Sequence, residues 1–221
     1  MTVVWHVDDM KISHKSPQDI SIMTEELKAK YQYEIGKIKV FRGKVHDYLG
    51  MNLDYITIGE VNIAMTDYVK KIIKEYPEYL STIVATPKSY SLLKTNNNAE
   101  KMKDHQIKYI HTTLSRGIFL TNRDRTDTHT AITYLSMRKK YPNTDDEKKL
   151  RGMMMLLVKK KELVIRIIEE ILNVLKCQID ASYVINHVKN GHTGTSLSMG
   201  VVIIHAKATN QKLNDKSITE S

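Results

Sequence analysis

The 221-residue chain predicts an α+β fold with antiparallel sheets. Three observations carry that expectation. Short apolar and β-branched runs, broken by glycines and polar turns, lie towards both ends of the chain. Between them, apolar residues recur three and four positions apart, as one face of a helix requires. Residues 81–98 lose periodicity altogether, and Pro87 with Asn96-Asn97-Asn98 marks a loop there.

The first element is a β-hairpin, with Val3-Val4-Trp5 and Met10-Lys11-Ile12 on either side of an acidic tip at Asp8-Asp9. Ser16-Pro17-Gln18-Asp19 is a helix start: Ser16 caps, Pro17 suits the first helical position and Asp19 answers the cap. Ile20, Met23, Leu27 and Tyr31 continue it at helical spacing. Strands are expected at 37–41, 45–55 and 60–65, with Gly59 turning the chain between the last two. Thr66 is expected to cap a helix with Val69, Ile72, Ile73 and Tyr76 on its apolar face, and Pro77 marks its end. Beyond the loop come helical patterns at about 99–121, 127–141 and 145–173, with Pro142-Asn143-Thr144 between the second and third. Residues 174–183 and 197–205 return to strand character, with Gly191, Gly194 and Gly200 in or beside the connection.

An apolar content of 41% is enough to build a core. Lys and Arg number 34 against 25 Asp and Glu, a formal charge of +9. The resulting pI near 9.4 suits a polyanion-binding protein, and equally a solvated basic surface. One cysteine excludes an intramolecular disulfide framework and a cysteine-built zinc cluster, which points to an intracellular protein. Cys177 falls in an apolar strand pattern and reads as an inert core thiol. No apolar run approaches the roughly 20 residues a membrane span needs, so no membrane partner is expected.

Adjacent carboxylates at a turn repel each other unless a cation offsets them, so Asp8 and Asp9 are candidate oxygen ligands for Mg²⁺. Asp145-Asp146 is a second such pair, which a helix start explains. Other constellations lack partners: His105 with His111, and His187 with His192, have no Cys or carboxylate at zinc-ligand spacing. Gly191-His192-Thr193-Gly194 is no P-loop, and no nucleophile elbow is present.

The segment from Trp5 to His14 resembles the X-X-Asp-Asp hairpin of reverse transcriptases in copia-type retrotransposon polyproteins. More of the chain follows the same family in order. Residues 42–51, with Tyr48-Leu49-Gly50, look like its Phe-Leu-Gly primer-grip strand, and Met65-Thr66-Asp67-Tyr68-Val69 looks like the start of its thumb helix. Ala85-Thr86-Pro87, Arg125-Thr126-Asp127 and Lys148-Lys149-Leu150-Arg151 continue the series. Ile179-Asp180-Ala181-Ser182-Tyr183, His192-Thr193-Gly194 and Gln211-Lys212-Leu213-Asn214 through Thr219-Glu220 look like the opening of its ribonuclease H domain.

That resemblance implies a partial palm and thumb over 1–80, a mostly helical thumb and connection over 81–173, and the first strands of a ribonuclease H-like sheet over 174–221. It makes Asp8 and Asp9 catalytic Mg²⁺ ligands and places His6 near the primer terminus, where the family usually has an aromatic residue. Tyr48, Leu49 and Gly50 would approach the primer, although as plain strand residues they need only Gly50 to form a bulge. Lys70, Lys71 and Lys74 would meet phosphates, or else form a solvated helix face. Asp180 would be the first carboxylate of the ribonuclease H metal site, where residue type alone suggests a turn-bonding aspartate.

The partners implied are an RNA template and DNA primer, or their heteroduplex, and the rest of the polyprotein, in cytoplasmic virus-like particles or the nucleus. The family's remaining palm aspartate is expected upstream of Met1, and its second ribonuclease H glutamate just after Ser221. Each site therefore holds part of its carboxylate set, and the isolated chain is expected to be inactive. The alternatives are a non-catalytic basic nucleic-acid-binding remnant and a marginally folded retroelement fossil. Two departures from the family stand out. Arg125-Thr126-Asp127 replaces Arg-Pro-Asp, and residues 156–162 lack a helix-stopping glycine, which is expected to prolong the last helix toward Asn173.

Overall fold

The computed structural model describes residues 1–36, 38–78, 80, 92–168, 174–182, 192–199 and 202–210. The expected Ala85-Thr86-Pro87 segment, Gly191, Gly200 and the Gln211 to Glu220 stretch lie outside them. The described chain is α+β with antiparallel sheets, as its sequence predicts.

Strands β1 (Thr2–His6) and β2 (Asp9–Ser13) form the predicted hairpin, with Trp5 opposite Met10 and His6 opposite Asp9. Helix α1 (Pro17–Ile35) follows, and Ser16 Oγ accepts the Asp19 N–H at 3.3 Å as the cap pattern requires. No strand forms at 38–41; extended backbone gains little without a neighbour to take its hydrogen bonds, and the next strand pairs elsewhere.

The single strand expected at 45–55 is instead a hairpin. Strands β3 (Val45–Tyr48) and β4 (Met51–Asp54) reverse at Leu49-Gly50, with Tyr48 opposite Met51. Leu49 and Gly50 have φ of 52° and 77°, the all-positive pattern of a two-residue type I′ turn. The turn-forming glycine was visible in the sequence, but a leucine in the left-handed region disguised the turn as strand. Gly59, at φ 75°, leads into β5 (Glu60–Ala64), which pairs with β4.

Helix α2 (Thr66–Lys74) presents Val69 and Ile72 inward. Its cap is Met65, so Thr66 is the first helical residue and makes no capping bond. Helix α3 (Asp104–Thr121) begins five residues later than expected, because the preceding segment pairs with the next loop: Lys101 bridges Asn143, and the Thr144 N–H donates to Glu100 O at 3.0 Å. A 3₁₀ turn (Thr126–Thr128) introduces helix α4 (His129–Arg138). Asn143 then caps helix α5 (Thr144–Lys159), accepting the N–H groups of Asp145 and Asp146, which accounts for that acidic pair as expected.

Helix α5 does not run on toward Asn173. It stops at Lys159, and the β-branched run beyond it forms β6 (Ile165–Ile168), which pairs antiparallel with β5 and completes a sheet of order β3-β4-β5-β6. A waiting sheet edge outcompetes helix propensity for Val164 to Ile168. Arg166 ties the pairing by an ion pair to Glu60.

The core lies among α2 to α5, where Met65, Val69, Leu114, Ile132, Leu150, Met153, Met154 and Leu157 are each almost fully buried. Gly117 lets α3 and α4 approach: a Cβ there would stand 2.4 Å from Ile132 Cδ1. At the end of the described chain, β7 (Leu175–Ser182), β8 (His192–Met199) and β9 (Val202–Asn210) make a three-stranded meander. The strand expected at 197–205 straddles two of these, since Met199 pairs with Val202. Cys177, expected in the core, is exposed because among the described residues nothing covers either face of β7, whose residues 175–180 are all exposed.

Candidate nucleic-acid interface

The acidic tip is a two-residue turn, Val7-Asp8, closed by His6 and Asp9. Val7 sits at φ 52°, a positive value at the first central position, where type II′ turns usually carry glycine. A β-branched residue there is strained by about 1–3 kcal/mol, and such strain collects at functional sites. His6, Asp8 and Asp9 are all exposed, as is Trp5, whose Nε1–H donates to Val7 O at 2.6 Å and braces the turn.

Val7 and Leu49 are the two non-glycine residues at positive φ among the described residues, and they occupy the tips of the two hairpins singled out above. These hairpins touch. The Tyr48 hydroxyl donates to Val4 O at 3.5 Å, and Lys11 Nζ stands 4.9 Å from the centre of the Tyr55 ring. The structure thus brings Tyr48, Leu49 and Gly50 beside the strand that carries the acidic tip. Lys70, Lys71 and Lys74 lie together on the exposed face of α2, with Lys70 3.6 Å from Asp67.

Asp180 is exposed on β7 opposite Gly194, and lines an open groove of about 280 Å³ between the meander and the start of α4. His129, Thr130 and Lys207 share the groove. Burial, and then the nearby His205 and Lys207 charges, hold the His129 imidazole below its ordinary pKa. Among the described residues no three His, Cys, Asp or Glu side chains gather into a metal-sized cluster. Asp8 with Asp9, and Asp180 by itself, therefore fall short of a Mg²⁺ site built from these residues alone, since that ion holds its waters unless several oxygens converge.

Sequence reasoning missed a group on α3 and just beyond it. The Phe119 ring lies 5.0 Å from Tyr68, and the Arg123 guanidinium stacks on it at 3.7 Å. A Cβ added to Gly50 would meet Phe119 at 3.7 Å, so the Leu49-Gly50 turn rests against the same ring. Arg116, Phe119 and Arg123 are spaced three and four apart, and that spacing was the available signal.

Two further buried groups hold this region. The Arg125 side chain is 1% exposed, forms a two-bond pair with Asp127 and donates to Lys160 O at 3.0 Å, clasping the end of α5. Asp124 Oδ2 accepts the Met65 N–H at 3.1 Å, while Oδ1 is buried with no partner. Burial pushes the Asp124 carboxyl up to about 6.

Comparisons of the chain with protein-family models, with curated proteins and with solved structures find no match. Among the described residues no helix is long and apolar enough to cross a membrane.

Proposed function

We propose that the chain is a segment of a copia-type reverse transcriptase running into ribonuclease H, and that by itself it binds an RNA–DNA heteroduplex without turning it over. The observation that carries this reading is the coincidence of backbone strain with motif. Val7 and Leu49 hold left-handed conformations at the tips of two touching hairpins, one bearing Asp8-Asp9 and the other Tyr48-Leu49-Gly50. The meander supports it, since Asp180 stands on the first of three antiparallel strands, where the resemblance puts the first ribonuclease H carboxylate. On this reading Asp8 and Asp9 would be two Mg²⁺ ligands of the parent enzyme, and Asp180 one ligand of its second site. Lys70, Lys71 and Lys74, with the net charge of +9, supply phosphate contacts.

The test is a filter-binding titration with a labelled RNA–DNA heteroduplex, alongside primer extension with Mg²⁺. Binding that weakens steeply with salt and is insensitive to Asp8→Asn or Asp9→Asn, with no extension, is expected. Extension by the isolated chain that either substitution abolishes would overturn the claim of inactivity. Absence of any heteroduplex binding at low salt would overturn the nucleic-acid reading.

A further inference from the structure

We propose that Arg123, stacked on Phe119 beside the Leu49-Gly50 turn, is a phosphate contact for one strand of a bound nucleic acid; this rests on the heteroduplex-binding reading above. Five of the arginines are neutralised by a carboxylate. Arg116 faces Glu75, Arg125 faces Asp127, Arg138 faces Asp146, Arg151 faces Glu78 and Arg166 faces Glu60. Arg42 and Arg123 differ: among the described residues neither has a carboxylate within ion-pair distance, and Arg42 meets only the Ser21 hydroxyl. The Arg123 guanidinium instead lies flat on the Phe119 ring, and Nη1 donates to Phe119 O at 3.3 Å.

One hydrogen bond and one ring face thus hold the fork, while its charge remains unanswered. A guanidinium presents five N–H groups in a plane, so the remaining edge is preorganised for the two oxygens of a phosphate. The side chain is only half-buried. Its neighbours suit the same ligand. The Tyr68 ring, tilted 45° and 5.0 Å from Phe119, and the turn backbone at Gly50 fix the ring on which the guanidinium lies. Tyr68 belongs to α2, whose exposed lysines extend the positive field.

The experiment measures fluorescence anisotropy of a fluorescein-labelled RNA–DNA heteroduplex with a single-stranded overhang, across a salt series. Arg123→Gln is expected to weaken binding roughly 3- to 10-fold and to reduce the slope of log affinity against log salt by about 1. Arg123→Lys is expected to keep the slope while losing part of the affinity, because an ammonium keeps the charge and loses the fork. Arg123→Met keeps an apolar stem on Phe119, and should reproduce the glutamine result if the latter variant folds poorly. Lys140, which stands 5.3 Å over Tyr141, is the matched control, and Lys140→Gln should change neither quantity. Wild-type binding that Arg123→Gln and Arg123→Met leave unaltered in affinity and slope overturns this proposal alone. Failure of the wild-type chain to bind the probe overturns the reading on which it rests.

Discussion

Asp124 is the residue whose ionisation bears most directly on stability. Its carboxyl staples the start of α2 to the end of α3, yet one oxygen has no partner, and its pKa is raised from the usual carboxylate value to about 6. A raised folded-state value means that the neutral form is favoured in the fold. The corresponding stability is fully present below about pH 4 and is lost as the pH rises through about 6. A shift of about two units amounts to about 3 kcal/mol as an order of magnitude. Asp124→Asn is therefore expected to abolish that loss between pH 4 and 8, measured as urea midpoints at each pH; an unchanged pH profile would show that the carboxylate is well accommodated. This residue was illegible in the sequence, since an Asp after a helix end reads as a turn former. Ser16 was legible because capping depends on neighbours three residues away at most.

At the scale of elements, the tightest joint is the crossing of α3 and α4 at Gly117. Helix propensity favours every residue except proline over glycine there, but a Cβ would collide with Ile132, which is 1% exposed and has little room to yield. Gly117→Val is expected to destabilise the protein by about 1–3 kcal/mol, read as a lowered denaturant midpoint with an unchanged slope. A neutral or stabilising result would mean that α3 and α4 can slide apart without loss. The helices themselves were legible from periodicity, and so was the hairpin at Asp8-Asp9. What periodicity missed was pairing. Residues 45–55 and 197–205 each read as one strand because alternation masks the turn at Leu49-Gly50 and the change of strand between Met199 and Val202. The β6 segment read as helix because the strand that receives it lies far away in the chain.

One buried cluster, from Met65 to Leu157, draws on residues both before and after the 81–91 stretch. A single cooperative thermal transition is expected, with fluorescence and far-ultraviolet dichroism melting together; two separated transitions would show that residues 1–80 unfold independently of the helices. The α+β character was legible in the chain, whereas the sharing of this core was not, because Leu92 stands in a stretch without period. The same non-local joining bears on synthesis. The outer edge of β5 emerges from the ribosome about a hundred residues before β6, which at roughly 5–20 residues per second leaves that edge open for about 5–20 seconds. During that interval Val61 and Ile63 offer an unpaired strand to any neighbouring nascent chain, so crowded polysomes would favour misassembly at this edge. The late arrival of four residues, Ile165 to Ile168, is what ends the exposure.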